Sequence, residues 1–215
     1  MIGAVKKRPV IRSVIVVAVI LILAVALKYL AFEGYGRLIV KGLPAVTYDP
    51  TRYAHSYTTL AESCTFTVDL DDLASNAGRE IFREGKMYIE IDEVVYDAPQ
   101  RNNPGSYRIF FRAHGVYDTD GGSLVSGLIS VPDASGGHTS RTTAEMSGSY
   151  RGEAFDCLYA GNTGIAYRDG DLFGYYIFPS EWHERGAVDP AGVGTVELTL
   201  TGLAVNRWTR ISKRG

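Results

Sequence analysis

The sequence predicts an all-β protein, an antiparallel two-sheet sandwich preceded by one N-terminal membrane-spanning helix. Apolar and polar residues alternate with a period of two over much of residues 61–215, and turn signals separate the alternating runs at short intervals. Parallel strands need crossovers of a dozen or more residues, and this spacing leaves no room for them. A β-barrel is the alternative all-β architecture that the same pattern allows.

The membrane-spanning helix is predicted from residues 14–32, which read VIVVAVILILAVALKYLAF. About 20 mostly apolar residues cross the hydrocarbon core of a bilayer, and Lys28 near the far end can extend its ammonium group to the interface. Four basic residues lie within positions 1–13, and such clusters favour the cytoplasmic side. We therefore expect a single-pass protein of the cell membrane, with a cytoplasmic tail over 1–13, an anchor over 14–32 and an extracytoplasmic remainder.

A cleavable signal peptide is the alternative interpretation of the same segment, because Ala24-Val25-Ala26 fits a small-x-small cleavage site. No polar region separates this site from the apolar run, which continues to Phe32. The pattern therefore favours an uncleaved anchor. Both interpretations export residues 33–215.

The exported part is acidic. The first 32 residues hold five of the 22 Lys and Arg and none of the 24 Asp and Glu, so residues 33–215 have a formal net charge of −7. Nucleic-acid binding needs a basic surface, and this charge argues against it. We expect the partners to be the membrane, through the helix, and a protein or glycan of the cell envelope.

Residues 33–60 are predicted to form a stalk before a β domain over 61–215. Several glycines and the pairs Leu43-Pro44 and Asp49-Pro50 interrupt any long element in the stalk.

One helix is predicted early in the β domain. Leu73, Ala77 and Ile81 lie at helical spacing after a cap at Asp71 or Asp72, and Gly85 is placed to end the helix. The later loop over 179–190 is expected to hold one further helical turn near Glu181–Glu184.

The other elements are predicted as strands from their alternation and from the Gly, Pro, Asn and Asp clusters between them. The strand that starts at Lys86 is expected to change phase at a bulge near Glu93. The predicted strands cover residues 63–70, 86–96, 107–117, 123–131, 138–150, 154–160, 164–167, 172–178, 195–201 and 203–211.

Two cysteines, Cys64 and Cys157, both lie on the exported side. An even number of cysteines in an oxidising compartment predicts a disulfide. It would close a loop of about 90 residues and contribute roughly 4–5 kcal/mol. The alternative is two buried free thiols.

Two oxygen-rich turns are candidate calcium sites. One holds Asp118 and Asp120, and the other holds Asp169 and Asp171. Calcium takes six to eight oxygen ligands, so the turns would have to share an ion. The competing interpretation is that Asp and Gly are simply good turn formers. Apart from this possible calcium, no cofactor is expected.

An aromatic segment is the candidate binding surface. Tyr175 and Tyr176 precede a loop that holds Trp182 and His183, and exposed aromatic rings can contact sugars or protein partners. The alternative is that these rings fill the β core. His183 has glutamates near it in sequence, which would raise its pKa.

The sequence shows no catalytic constellation. The four histidines have no metal-ligand spacing, and no serine lies in a G-x-S-x-G motif. The expected function is therefore a non-catalytic binding or assembly module of the cell envelope. The alternatives are a glycan-acting enzyme that uses carboxylates such as Glu90, Asp92 and Glu93, a β-barrel carrier of an apolar ligand, and an exported immunity or inhibitor protein.

Overall fold

The computed structural model describes residues 8–32, 35–101, 105–132, 138–188 and 192–212. The chain divides into two compact units, Met1–Lys41 and Gly42–Gly215. The first unit is helical, and the second holds the described strands.

The first unit contains two helices, α1 (Arg8–Phe32) and α2 (Tyr35–Lys41). The side chains of α1 are described from Val14 to Lys28, and those of its valines, leucines and isoleucines are between 49% and 68% exposed. Within this described part of the chain, no helix is both long enough and apolar enough to span a membrane.

The described part of the second unit contains fifteen strands and three short helical segments. The helical segments are α3 (Pro44–Thr47), a 3-10 helix (Leu73–Asn76) and α4 (Ser180–Glu184), the last of which confirms the helical turn predicted there. The strands are β1 (Tyr53–Thr59), β2 (Cys64–Asp69), β3 (Glu80–Glu84), β4 (Met87–Asp97), β5 (Ser106–His114), β6 (Val116–Tyr117), β7 (Gly121–Ser126), β8 (Leu128–Pro132), β9 (His138–Thr142), β10 (Glu145–Tyr150), β11 (Glu153–Asp156), β12 (Leu158–Gly164), β13 (Gly170–Tyr176), β14 (Thr195–Thr201) and β15 (Ala204–Arg210).

Every described strand pairing is antiparallel, which confirms the predicted all-β, antiparallel class. The described strands form three sheets and a β8–β9 hairpin, where two sheets were predicted. The first sheet has the order β1-β15-β7-β6, the second β11-β10-β14-β2, and the third β12-β13-β5-β4-β3. The number differs because four predicted strands are each divided between two sheets or between a sheet and the hairpin. The divisions lie at Gly115, at Gly127, between Thr142 and Glu145, and at Cys157.

The segment from Gly42 to Leu60, assigned to a stalk by the sequence, belongs to the second unit. The strand β1 pairs with β15 along its whole length. The turn at Gly42 has φ +67, and a Cβ there would lie 1.9 Å from the carbonyl oxygen of Arg168. Leu43 N–H donates to that same carbonyl at 2.7 Å, so the glycine allows a close backbone contact that fixes the start of the unit.

The helix predicted after Asp72 is wrong. One 3-10 turn forms, capped by the Asp72 side chain, and β3 follows it. The buried side chain of Asn76 explains the early end of the helix. Its Nδ2 donates to the Asp69 carbonyl at 2.7 Å, and its Oδ1 accepts from Asp69 N–H at 3.0 Å. Gly78, at φ +75, then turns the chain into β3.

The third sheet has a clearly two-sided pattern. On β5 the inner residues are 0–2% exposed, and they are Tyr107, Ile109, Phe111 and Ala113. The pairing of β4 with β5 shifts between Ile91 and Glu93, which confirms the predicted bulge. Phe66 of the second sheet meets Phe111 of the third edge to face, with ring centroids 5.7 Å apart, so these two sheets share one core.

Candidate functional site

A polar cluster lies on the outer face of the third sheet. The register of β4 and β5 sets Tyr88 opposite His114 and Glu90 opposite Arg112, and the turn before β13 adds Asp169. His114 Nδ1 lies 2.7 Å from Asp169 Oδ2, and His114 Nε2 lies 3.1 Å from Glu90 Oε1. The Tyr88 ring stacks on the imidazole at 4.3 Å with an interplanar angle of 8°. Both ring nitrogens of His114 are therefore engaged by carboxylates.

The charges around Asp169 favour its ionised form. Partial burial raises the pKa of Asp169. The hydrogen bond and charge of His114 and the charge of Arg112 lower this pKa by more than burial raises it, so the net shift is downward. Arg112 Nη2 lies 3.5 Å from Asp169 Oδ1, and its guanidinium lies 4.2 Å from the centroid of the Tyr167 ring. The cluster is a set of mutually paired charges covered by aromatic rings.

Asp171 lies two positions further on and is 2% exposed. Its two carboxyl oxygens lie 2.8 Å and 2.9 Å from the Ser126 hydroxyl, which also accepts from Leu128 N–H at 3.1 Å. Burial raises the pKa of Asp171 to about 7, although the Ser126 hydrogen bond opposes the shift.

The four aspartates predicted as calcium ligands do not form one site. Asp118 Oδ1 accepts from the N–H groups of Asp120 and Gly121, as a turn-forming aspartate does. Asp169 pairs with His114, and Asp171 is buried against Ser126. Among the described residues, no group of three or more His, Cys, Asp or Glu is arranged to hold a metal ion.

The predicted aromatic binding surface is only partly at the surface. Trp182 is 8% exposed and packs on Phe178 with a centroid distance of 5.9 Å, and Tyr175 is 2% exposed. Tyr175 Oη donates to the Ala144 carbonyl at 2.7 Å, and burial raises the pKa of its phenol. These two residues belong to the core, so the prediction that they form a binding surface is wrong for them.

The other two predicted residues, Tyr176 and His183, line one small pocket of about 240 Å³. Burial lowers the pKa of His183, contrary to the expected rise. The expectation fails because Glu181 and Glu184 point to solvent, whereas the imidazole lies over Tyr107 with a centroid distance of 6.2 Å. Within the described part of the chain, its buried Nε2 has no hydrogen-bond partner. The other described residues of the pocket lining are Gly105, Ser106, Leu158, Phe178 and Ser180.

The predicted disulfide is wrong, because Cys64 and Cys157 are free and buried. Strand register explains why. Cys157 N–H bonds to the Met146 carbonyl, Met146 is opposite Leu200, and Leu200 is opposite Cys64. Three strand spacings of about 4.8 Å separate the cysteines by about 14 Å, whereas disulfide-bonded Cα atoms lie within about 7 Å.

Burial also makes the two thiols unreactive. It raises the pKa of Cys64 to about 11 and, together with the charge of Asp156, that of Cys157 to about 12. Cys157 Sγ donates to the Ile177 carbonyl at 3.1 Å.

A second pocket, of about 380 Å³, was missed by the sequence analysis. The one sequence feature that could have indicated this pocket is the Ser- and Thr-rich segment at 138–150. The other residues of the pocket lining come from three distant parts of the chain. The lining residues are Tyr48, Ser130, Thr139, Ser140, Asn162, Thr163, Gly164 and Ile165.

Comparison of the chain with protein-family models, with curated proteins and with solved structures finds no match.

Proposed function

We propose that this chain is a single-span membrane protein that presents a β-sandwich outside the cytoplasmic membrane. The sandwich serves there as a binding or assembly module of the cell envelope and carries out no catalysis.

The location of the protein in the membrane is inferred from the sequence of residues 1–32. An apolar run of spanning length follows a basic tail. Large exposed apolar surfaces on a water-soluble protein are rare, and the side chains of α1 form one from Val14 to Leu27. Lipid is the cover that matches an uninterrupted apolar surface on all sides of a helix.

The sandwich is inferred from contacts between the second and third sheets. Phe66 and Phe111 make one such contact. In a second, the ring centroids of Phe155 in β11 and Phe178, just after β13, lie 5.3 Å apart. In a third, the Tyr175 hydroxyl of β13 donates a hydrogen bond to the carbonyl of Ala144, just before β10. Aromatic side chains that interdigitate between two antiparallel sheets are typical of a sandwich.

The double engagement of His114 carries the non-catalytic part of the proposal. A general base needs a nitrogen within reach of the substrate proton. Both nitrogens of His114 face carboxylates, and the ring face is covered by Tyr88. This arrangement holds β4, β5 and the turn before β13 together, which is a structural role.

The proposal is tested by assaying the full-length protein in detergent for release of sugars from cell-wall polysaccharides. We expect no turnover by the wild type. His114→Gln and Glu90→Gln probe the cluster, and Asp97→Asn, on the same sheet face but paired with Arg108, is the matched control. Turnover that disappears in His114→Gln or Glu90→Gln, but persists in Asp97→Asn at unchanged thermal stability, would contradict the proposal.

A further inference from the structure

The described lining of the 380 Å³ pocket carries no charge. All eight of its described residues are neutral, and six of them have hydroxyl or amide side chains. The 460 Å³ pocket beside β6 and β7 contrasts with it, because Lys86, Asp118 and Arg207 all contribute to that lining. A neutral, hydroxyl-rich lining matches a ligand that is itself neutral and rich in hydroxyl groups, because no ion needs to be desolvated on either side.

Three hydroxyl-bearing residues of this pocket belong to the β8–β9 hairpin, and one of them, Ser130, is only 6% exposed. Within the described part of the chain, the hydroxyls of Ser130, Thr139 and Ser140 form no hydrogen bond with another protein group. Ser130 and Ser140 are paired residues on the β8–β9 hairpin, and Thr139 is next to them. Ser130 and Ser140 therefore share one face of the hairpin, and Thr139, which also lines the pocket, lies on the face of its pair Val131. Each of the three hydroxyls can donate and accept.

The opposite wall is held in place by its own hydrogen bonds. Asn162 Oδ1 accepts from Gly164 N–H at 2.9 Å, and its Nδ2 donates to Tyr159 Oη. Thr163 Oγ1 donates to the Gly164 carbonyl at 3.1 Å. A wall fixed in this way loses little conformational entropy when a ligand binds.

Tyr48 supplies an apolar surface at the rim. The residue is 48% exposed, and its Oη donates to the Ile165 carbonyl at 3.2 Å, which fixes the direction of the ring. An amphipathic ring of this kind offers a flat apolar face with a polar end. The C–H face of a pyranose can pack on it while the sugar hydroxyls reach the hairpin.

We propose that this pocket binds a neutral sugar unit of an envelope glycan. Its volume lies within the range of about 300–1,000 Å³ that is usual for small-molecule sites. The inference deepens the proposed function and rests on it for the extracytoplasmic location of the ligand.

The test uses the full-length protein in lauryldimethylamine oxide, because a detergent with a sugar headgroup would compete for the pocket. The probes are arrayed chitotetraose, cellotetraose and mannotetraose. We expect binding to at least one of them, weakened about tenfold or more in the double variant Thr139→Val/Ser140→Ala, since two hydrogen bonds to the ligand are lost. Tyr48→Ala should weaken binding similarly, and Tyr48→Phe should weaken it much less.

Two variants serve as matched controls. Thr58→Val removes an exposed hydroxyl on β1 outside the pocket, and Tyr176→Ala removes a tyrosine from the 240 Å³ pocket. Both should bind as the wild type does. The double variant changes only hydroxyls at the rim, so it stays informative even if Tyr48→Ala does not fold.

Binding to none of the three probes would overturn the inference, and so would binding that survives the double variant or depends on Tyr176. The proposed function fails in different assays, through turnover or a cytosolic location of the β unit. A protein partner captured equally by the wild type and the double variant, without glycan binding, would preserve the proposed function and overturn the glycan site.

Discussion

Asp169 and Asp171 are separated by one residue, yet the pKa values of their carboxyl groups are shifted in opposite directions. Asp169 is on the outer face of the third sheet, where His114 and Arg112 lower the pKa of its carboxyl. Asp171 faces the core, where burial against Ser126 raises its pKa to about 7. The difference shows that the surroundings of an acid decide its charge: a partly buried acid beside cationic groups stays ionised, and a buried acid with one hydroxyl partner holds its proton up to about pH 7.

The largest expected effect comes from replacing the ionisable carboxyl of Asp171 with a neutral amide. The folded state holds a proton that the unfolded state releases above its usual pKa of 3.8, so stability is present below pH 3.8 and is lost as pH rises towards 7. Asp171→Asn should therefore become more stable than the wild type across this window, by up to roughly 4 kcal/mol. Urea unfolding at pH 4 to 8 measures the difference.

The control for this series is Asp156→Asn, at an exposed position at the end of β11. It should change stability by less than about 0.5 kcal/mol at each pH. A difference between Asp171→Asn and the wild type that does not grow with pH would contradict a protonated Asp171.

A smaller effect of opposite sign is expected at Asp169. Because its folded pKa is lowered, its stabilising contribution is present above pH 3.8 and is lost as pH falls through the folded value. Asp169→Asn should cost about 1 kcal/mol at pH 7, after allowance for solvent screening of a side chain that is 34% exposed. Thermal unfolding at pH 7 and pH 3 should show this cost shrinking in acid.

The smallest effect is expected for the matched ion pair on the same face. Asp97→Asn breaks the ion pair with Arg108. The side chain of Asp97 is 37% exposed and that of Arg108 is 31% exposed. The loss should stay below about 1 kcal/mol. A loss at Asp97 larger than that at Asp169 would show that His114 adds nothing to an ordinary surface pair.

Local patterns were sufficient for the class of the fold. The period of two predicted antiparallel strands, and the break of phase in β4 predicted the bulge near Glu93. The pattern failed where a tertiary contact dominates. Asn76 ends a helix through bonds to Asp69, and β1, which lacks alternation, is a strand because it pairs with β15 about 150 positions away.

The candidate sites were harder to predict than the fold, because both pockets combine distant segments. Tyr48, Ser130 and Asn162 share one pocket although more than 30 positions separate each from the next. The sequence also did not reveal which aromatic residues are exposed. Trp182 and Tyr176 are both aromatic residues of the same segment, but Trp182 lies in the core and Tyr176 lines a pocket. The disulfide failed for the same reason, as only strand order reveals the two strands between Cys64 and Cys157.

The location of the β unit is tested most directly by fusing reporters to the C-terminus of the full-length chain in a bacterial host. Alkaline phosphatase is active only outside the cytoplasmic membrane, and green fluorescent protein exported in unfolded form is dark. We expect an active phosphatase fusion and a dark fluorescent fusion, both in the membrane fraction. An inactive phosphatase fusion together with a fluorescent green-fluorescent-protein fusion would contradict the proposed anchor and extracytoplasmic role.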